Sequence, residues 1–263
     1  MCNWCTNKIT VYGDNIKNLL SKHFIKNEDD ELEFDFNSIV KMPEDLEVER
    51  SSTSYDGFRL YLAKINPLIP NLGSKEDKLN LKDFSTFMVK NYGQNAVNQI
   101  DKYILKPSEV EDLKAKYKAN FDDLLRIGEI VFNNRIKYGA HDWYDWRIKH
   151  WGCKWNSSNT YVNEDYSEIY FDSPWSPAIP VIEALAKLYP ELRITHEFAE
   201  EQTGWYSGKY SYRDGVLIEA LDYESYSKEA YELSFELWGN DESYKYNPDI
   251  DNYEYIENEG ENI

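Results

Sequence analysis

Lys8 to Tyr12 (KITVY) alternates β-branched and polar residues, and Gly13-Asp14 follows as a strand end and helix cap. Asp14 to Phe24 sets Ile16, Leu19, Leu20 and Phe24 at helical spacing. Leu32 to Met42 returns to alternation, with Leu32, Phe34 and Phe36 on one face and Pro43 ending the run. The first 43 residues therefore predict strand–helix–strand. From Glu44 to about Gly139 the texture changes. Ser51 to Ser54, Pro67 and Pro70 predict irregular connections, whereas Asp83 to Leu105 and Ser108 to Tyr138 carry helical periodicity. Phe121, Leu124, Leu125, Gly128, Val131 and Phe132 form one apolar stripe, and Ser108 with Glu111 after Pro107 predicts a capping box. This stretch reads as a helical insertion.

Strand signals resume near Trp155. Tyr161 to Phe171 predicts a hairpin turning around Asn163 to Asp165, and Ser173 to Tyr189 a helix with a proline-rich lead-in. Pro174, Pro177 and Pro180 there read as structure, since proline suits a helix's first turn. Arg193 to Phe198, Trp205 to Tyr212 and Val216 to Leu221 predict strands, the last two joined at Asp214-Gly215. Ser227 to Trp238 predicts a closing helix, followed by a tyrosine-rich acidic tail. Without the insertion the order is βαβ then ββ-helix-βββ, which predicts an α+β sandwich: one antiparallel sheet with helices on one face. There is no internal repeat.

Composition sharpens this picture. With 41% hydrophobic and 16% aromatic residues in 263, the chain has enough apolar material for its own core. No run of about 18 apolar residues suggests a membrane span, and no basic flank with an apolar stretch suggests a secretory signal. Three cysteines do not suggest a disulfide framework, so the expected setting is a reducing bacterial cytoplasm. The formal net charge is −19, and from Asp222 to Ile263 there are 13 acidic and 2 basic residues. Phosphate backbones need basic partners, so this balance disfavours nonspecific nucleic-acid binding. The plain reading of the tail is a solubilising segment. The sharper one is that it competes for a basic groove on a partner protein.

Four segments then carry a resemblance: NWCTNKITVYG (Asn3 to Gly13), FDFNSIVKMPEDL (Phe34 to Leu46), YDWRIKHWGCKWN (Tyr144 to Asn156) and FDSPWSPAIPVIEALAKLYPEL (Phe171 to Leu192), with GWYSGKYSYRDG (Gly204 to Gly215) after them. Together they resemble the phage- and plasmid-borne YubB-type ferredoxin-like family, a group of unknown function. The resemblance implies a ferredoxin-like fold and a mobile-element origin, with no catalytic residues to carry over. It divides the chain into 1–46 and 144–225 as the two parts of the ferredoxin-like domain, 47–143 as the insertion, and 226–263 as helix and tail. An iron–sulfur cluster is not expected, because such clusters usually take four cysteines.

Candidate chemistry is sparse. Cys2 and Cys5 with His150 and Cys153 would supply a Cys₃His zinc set. In the family pattern, however, position 150 is usually Asn and 153 usually Thr, so idle or buried thiols are the preferred reading and no cofactor is expected. A redox role is disfavoured because the C-x-x-C precedes a strand, not a helix N-terminus. No G-x-S-x-G, P-loop, H-E-x-x-H or G-x-G-x-x-G occurs, and His196, in the strand Arg193 to Phe198, could face either the core or the solvent. The expectation is a non-enzymatic protein. Trp143, Tyr144, Trp146, Trp151 and Trp155, interleaved with Arg147, Lys149 and Lys154, combine the residue types of a single-strand stacking platform. Their simpler role is to build the fold. The leading functional reading is a mobile-element accessory protein that binds a basic host protein, in its specific form as an anti-defence, anti-CRISPR-like inhibitor. Trp143, Tyr144, Trp146 and Trp151, with Tyr244, Tyr246, Asp249, Asp251 and Glu254 in the tail, are the candidate contact residues. The alternative is a nucleic-acid-binding module using the sheet face and the segment 143–155.

Overall fold

The computed structural model describes residues 3–67, 73–92 and 105–256. In chain order it begins with β1 (Trp4–Tyr12), α1 (Ile16–Leu20), a 3₁₀ turn, β2 (Phe24–Lys26), β3 (Leu32–Phe34) and α2 (Phe36–Ile39). Then come α3 (Ser52–Ile65), α4 (Leu81–Tyr92), α5 (Pro107–Tyr117), α6 (Phe121–Tyr138) and α7 (Trp143–His150). The chain returns to β4 (Ser158–Val162), β5 (Glu168–Pro174), α8 (Ile179–Leu188), β6 (Arg193–Glu200), β7 (Ser207–Arg213) and β8 (Val216–Asp222). It closes with α9 (Lys228–Trp238) and the pair β9 (Tyr244–Asn247) and β10 (Asn252–Tyr255). Two compact units result, Met1–Lys41 with Arg147–Ile263, and Met42–Trp146. No helix among the described residues is long and apolar enough to cross a membrane.

The first unit is an α+β, ferredoxin-like sandwich. Its sheet has the order β4-β5-β1-β6-β7-β8, with every neighbouring pair antiparallel. Because β5 and β6 both run against β1, they are parallel to each other and joined through α8, a split β-α-β unit. Alternation decides the faces. Cys5, Asn7, Ile9 and Val11 of β1 share a buried face with Phe171 of β5 and with Ile194, His196 and Phe198 of β6, while Lys8, Glu197 and Lys209 point the other way. Val181, Ile182, Leu185 and Ala186 give α8 its buried stripe. On the opposite face α9 reaches the sheet through Glu236, which pairs with Lys8 at 2.5 Å, and through Trp238, whose Nε1 donates to the Ala199 carbonyl at 3.0 Å.

Phe36 does not continue a strand. The expected run Leu32 to Met42 stops after Phe34, because the Asp35 side chain accepts from the Asn37 N–H at 3.1 Å and caps the turn of α2. Phe34 and Phe36 still serve one core, both at 5.5 Å from the Phe171 ring. The hairpin β2–β3 lies outside the main sheet, but Phe34 N–H donates to Ser157 Oγ at 2.8 Å and so covers the β4 end. The helix expected from Ser173 begins at Ile179, since β5 runs on to Pro174. Residues of the expected acidic, tyrosine-rich tail form the hairpin β9–β10.

The second unit is the helical insertion. Ser51 to Ser54, expected to be irregular, instead open α3: Ser51 Oγ accepts from the Ser54 N–H at 3.2 Å, and Ser54 Oγ accepts from the Ser51 N–H at 3.1 Å. The start of α5 is also set differently from expectation, with Glu109 accepting from the Lys106 N–H at 2.7 Å and Pro107 at its first turn. Leu124, Gly128, Val131 and Phe132 are buried, with Phe121 and Leu125 packed partly against the core. At Gly57 and Gly128 the helices α3 and α6 touch backbone to backbone. Of the helix expected from Asp83 to Leu105, α4 accounts for residues up to Tyr92; residues 93–104 lie outside the described ones.

Candidate functional site

The aromatic segment after the insertion separates into buried and exposed members. Trp146 is buried in the helical unit. Trp151 is buried in the sheet unit, where its Nε1 donates to the Val40 carbonyl at 2.8 Å and its ring meets Phe36 edge-on at 5.9 Å. These two tryptophans build cores and are closed to any outside partner, which corrects their place among the contact residues. Trp143 and Tyr144 are half-buried with rings 5.7 Å apart, and the Arg50 guanidinium lies 4.2 Å from the Tyr144 ring. Arg50 also bonds Asp145 at 2.8 Å and Asp142 at 3.3 Å.

The tail residues come together on one hairpin. Tyr253 lies opposite Tyr246 and Tyr255 opposite Tyr244. Tyr244 and Tyr253 pack against Tyr231 of α9 at 5.2 and 5.7 Å, and Phe235 adds an edge contact to Tyr253 at 5.0 Å. Half of the expected tyrosine surface is therefore spent on docking the hairpin. Tyr246, Tyr255, Asp249, Asp251 and Glu254 are exposed, and so is Lys245, which lies opposite Glu254. Asp251 is held by the Tyr246 hydroxyl and by Lys228 at 2.7 Å, and these partners draw its carboxyl below the usual range. Asp249 and Glu254 have no ion-pair partner among the described residues.

Cys5 and Cys153 are packing residues in this geometry. Cys5 and Cys153 are fully buried. Burial raises the Cys5 thiol well above its ordinary range, with Glu200, Asp172 and Cys153 adding to it, and pushes Cys153 up to about 12. His150 is half-buried, its ring held below the usual range by burial and by Lys149. Cys2 lies outside the described residues, and among the described residues no three His, Cys, Asp or Glu side chains are placed to hold a metal. Both buried thiols are expected to resist a thiol reagent in the native protein and to react fully on denaturation. Peptide mapping of the labelled chain checks this, and rapid native labelling of either residue would contradict their burial.

His196, ambiguous in sequence, is buried in the sheet core. Asn7 Nδ2 donates to the Cys5 carbonyl at 2.9 Å and to Ser173 Oγ at 2.8 Å, so Asn7 Oδ1 is left to accept from His196 Nε2–H at 2.9 Å. The other ring nitrogen, Nδ1, is buried with no partner. Burial lowers this histidine to about 3. In the helical unit a cavity of about 340 Å³ is lined by Arg50, Ser51, Ser54, Phe58, His141 and Asp142. His141 Nδ1 stands 3.5 Å from Asp145, and its buried Nε2 has no hydrogen-bond partner among the described residues. Sequence reasoning overlooked this grouping because Arg50 and Asp142 are brought together only by the packing of α3 and α6.

No curated protein matches the chain. The crystal structure of the protein Api92 from Yersinia pseudotuberculosis is similar at 13% identity and a TM-score of 0.36, covering 85% of this chain and 99% of that one. Residues 150–241, which hold β4 to β8 with α8 and α9, match the family model described as the ferredoxin-like domain in Api92-like protein.

Proposed function

We propose that this is a non-enzymatic accessory protein of a phage or other mobile element that binds a basic host protein, with inhibition of a host defence factor as its specific form. The observation that carries the reading is the solvent-exposed part of the β9–β10 hairpin and its connecting turn. There Tyr246 and Tyr255, 40% and 64% exposed, stand among Asp249, Asp251 and Glu254 on a chain of net charge −19. Tyrosine offers broad contact area with few rotatable bonds, and an acidic field speeds encounter with a basic partner. The mobile-element origin rests on the resemblance of the four sequence segments. The nucleic-acid alternative is weakened because Trp146 and Trp151 are buried and the charge repels phosphate.

The test pairs an affinity capture from host lysate with a defined variant, Asp249→Lys with Glu254→Lys and Tyr255→Ala. The captured basic protein is expected to bind the variant about tenfold more slowly than the parent, and its binding to the parent to weaken with added salt. Binding that ignores both salt and variant would sink the electrostatic reading. A gel shift with single-stranded DNA at physiological salt would favour the nucleic-acid module.

A further inference from the structure

Lys154 sits between two half-exposed indoles. Its Nζ lies 3.8 Å from the Trp155 ring centroid and 3.7 Å from that of Trp175. Trp155 and Trp175 are 43% and 46% exposed. Carboxylates outnumber cationic side chains 48 to 29 in this chain, yet Lys154 forms no ion pair with any of them among the described residues. Two aromatic faces, with their negative quadrupoles, hold it instead.

The two indoles are set in place by the backbone beneath them. Ser176 Oγ donates to the Gly152 carbonyl at 2.5 Å, tying the loop of Trp155 to the loop of Trp175. Trp175 N–H donates to the Asn3 carbonyl at 2.8 Å, and Ser173 Oγ donates to the Ser176 carbonyl at 2.8 Å. Trp175 itself has φ +71°, a left-handed conformation that bulky side chains rarely adopt and that gathers at ligand clamps. A buried aromatic would explain such strain by packing, but Trp175 keeps nearly half its surface in water. A lysine ammonium is a poor occupant, because it is strongly hydrated and rides on a flexible stem.

We infer that Trp155 and Trp175 form a clamp for a weakly hydrated organic cation, a quaternary ammonium or guanidinium group, which Lys154 fills when no ligand is bound. The clamp is a second site, separate from the β9–β10 hairpin, and does not depend on it. The chain's negative charge concentrates cations around it.

Titration with tetramethylammonium and with N-acetylarginine amide, followed by the ring-current shift of the ligand protons at fixed ionic strength, tests the inference. Lys154→Ala is expected to bind both probes about tenfold more tightly than the parent, because the competing ammonium is gone. Trp155→Ala and Trp175→Gly, each added to Lys154→Ala, are expected to remove the shift. Glycine suits the φ of residue 175, and both indoles are exposed, so the fold survives either change. Equal binding by parent and Lys154→Ala, or binding that survives both tryptophan changes, would overturn the clamp. So would a Lys154→Ala protein that binds oligothymidylate and neither cation. None of these outcomes depends on the hairpin variant, so the two sites fail separately.

Discussion

Replacing Gly128 by alanine is expected to destabilise the helical unit by about 3 kcal/mol, against the usual gain from removing a helical glycine. A Cβ on Gly128 would fall far inside van der Waals contact with the Gly57 carbonyl oxygen, and one on Gly57 would stand 2.6 Å from the Leu124 carbonyl oxygen. Both obstacles are backbone, so neither can swing aside as a side chain could. The helices must separate, and Leu60, Ala63 and Leu124, fully buried between them, lose contact together. For a unit of this size the change corresponds to a fall of about 10–20 °C in its melting temperature. Asn133→Ala, an exposed change on the same helix, is the control, and it should stabilise by a few tenths of a kcal/mol, roughly the propensity difference. Melting curves followed by far-ultraviolet circular dichroism decide the matter. A Gly128→Ala protein as stable as the control would mean that α3 and α6 do not meet at these two glycines.

Acid is expected to weaken the sheet unit through His196. The folded protein holds this ring neutral down to about pH 3, whereas the unfolded chain protonates it near 6.5. A folded pKa below the unfolded one means full stability above 6.5 and progressive loss as pH falls from 6.5 to 3. The loss across that window is about 4–5 kcal/mol. The structural cause is the unpartnered Nδ1: protonation adds a donor where no acceptor stands, in a fully buried place. His23 acts in the same direction. It is lowered to about 4, chiefly by burial and secondarily by Lys22, but its Nδ1 meets Ser38 Oγ at 2.7 Å and its Nε2 meets Tyr189 OH at 2.6 Å, so its share is smaller. Carboxylates also titrate in this window, so the informative quantity is the difference between parent and His196→Gln, which keeps a donor for Asn7. Urea midpoints measured from neutrality down to pH 4 should fall less steeply for the variant. Parallel curves would remove His196 as the cause.

Periodicity made much of the fold legible. The β-branched alternation of KITVY, the stripe of the long insertion helix, and the Asp214-Gly215 turn each name a structure that local chemistry enforces whatever surrounds it. Serine is ambiguous in the same local language. Ser51 to Ser54 suit a loop equally well, and only their mutual side-chain to backbone bonds make them a helix start. Phe34 and Phe36 show a further limit, because spacing two apart says strand although a capped turn places both rings on Phe171.

The candidate site was legible in kind but not in assignment. Composition alone determined that this chain is acidic, tyrosine-rich and poor in catalytic motifs, since charge and residue type need no fold to be counted. Which aromatic residues meet water was decided by tertiary structure. Trp151 and Trp155 stand four apart in the same segment, yet one is locked under Phe36 and the other shares a lysine with Trp175, twenty residues on. Burial depends on what the rest of the chain brings to each ring, and that information lies in the packing of distant segments.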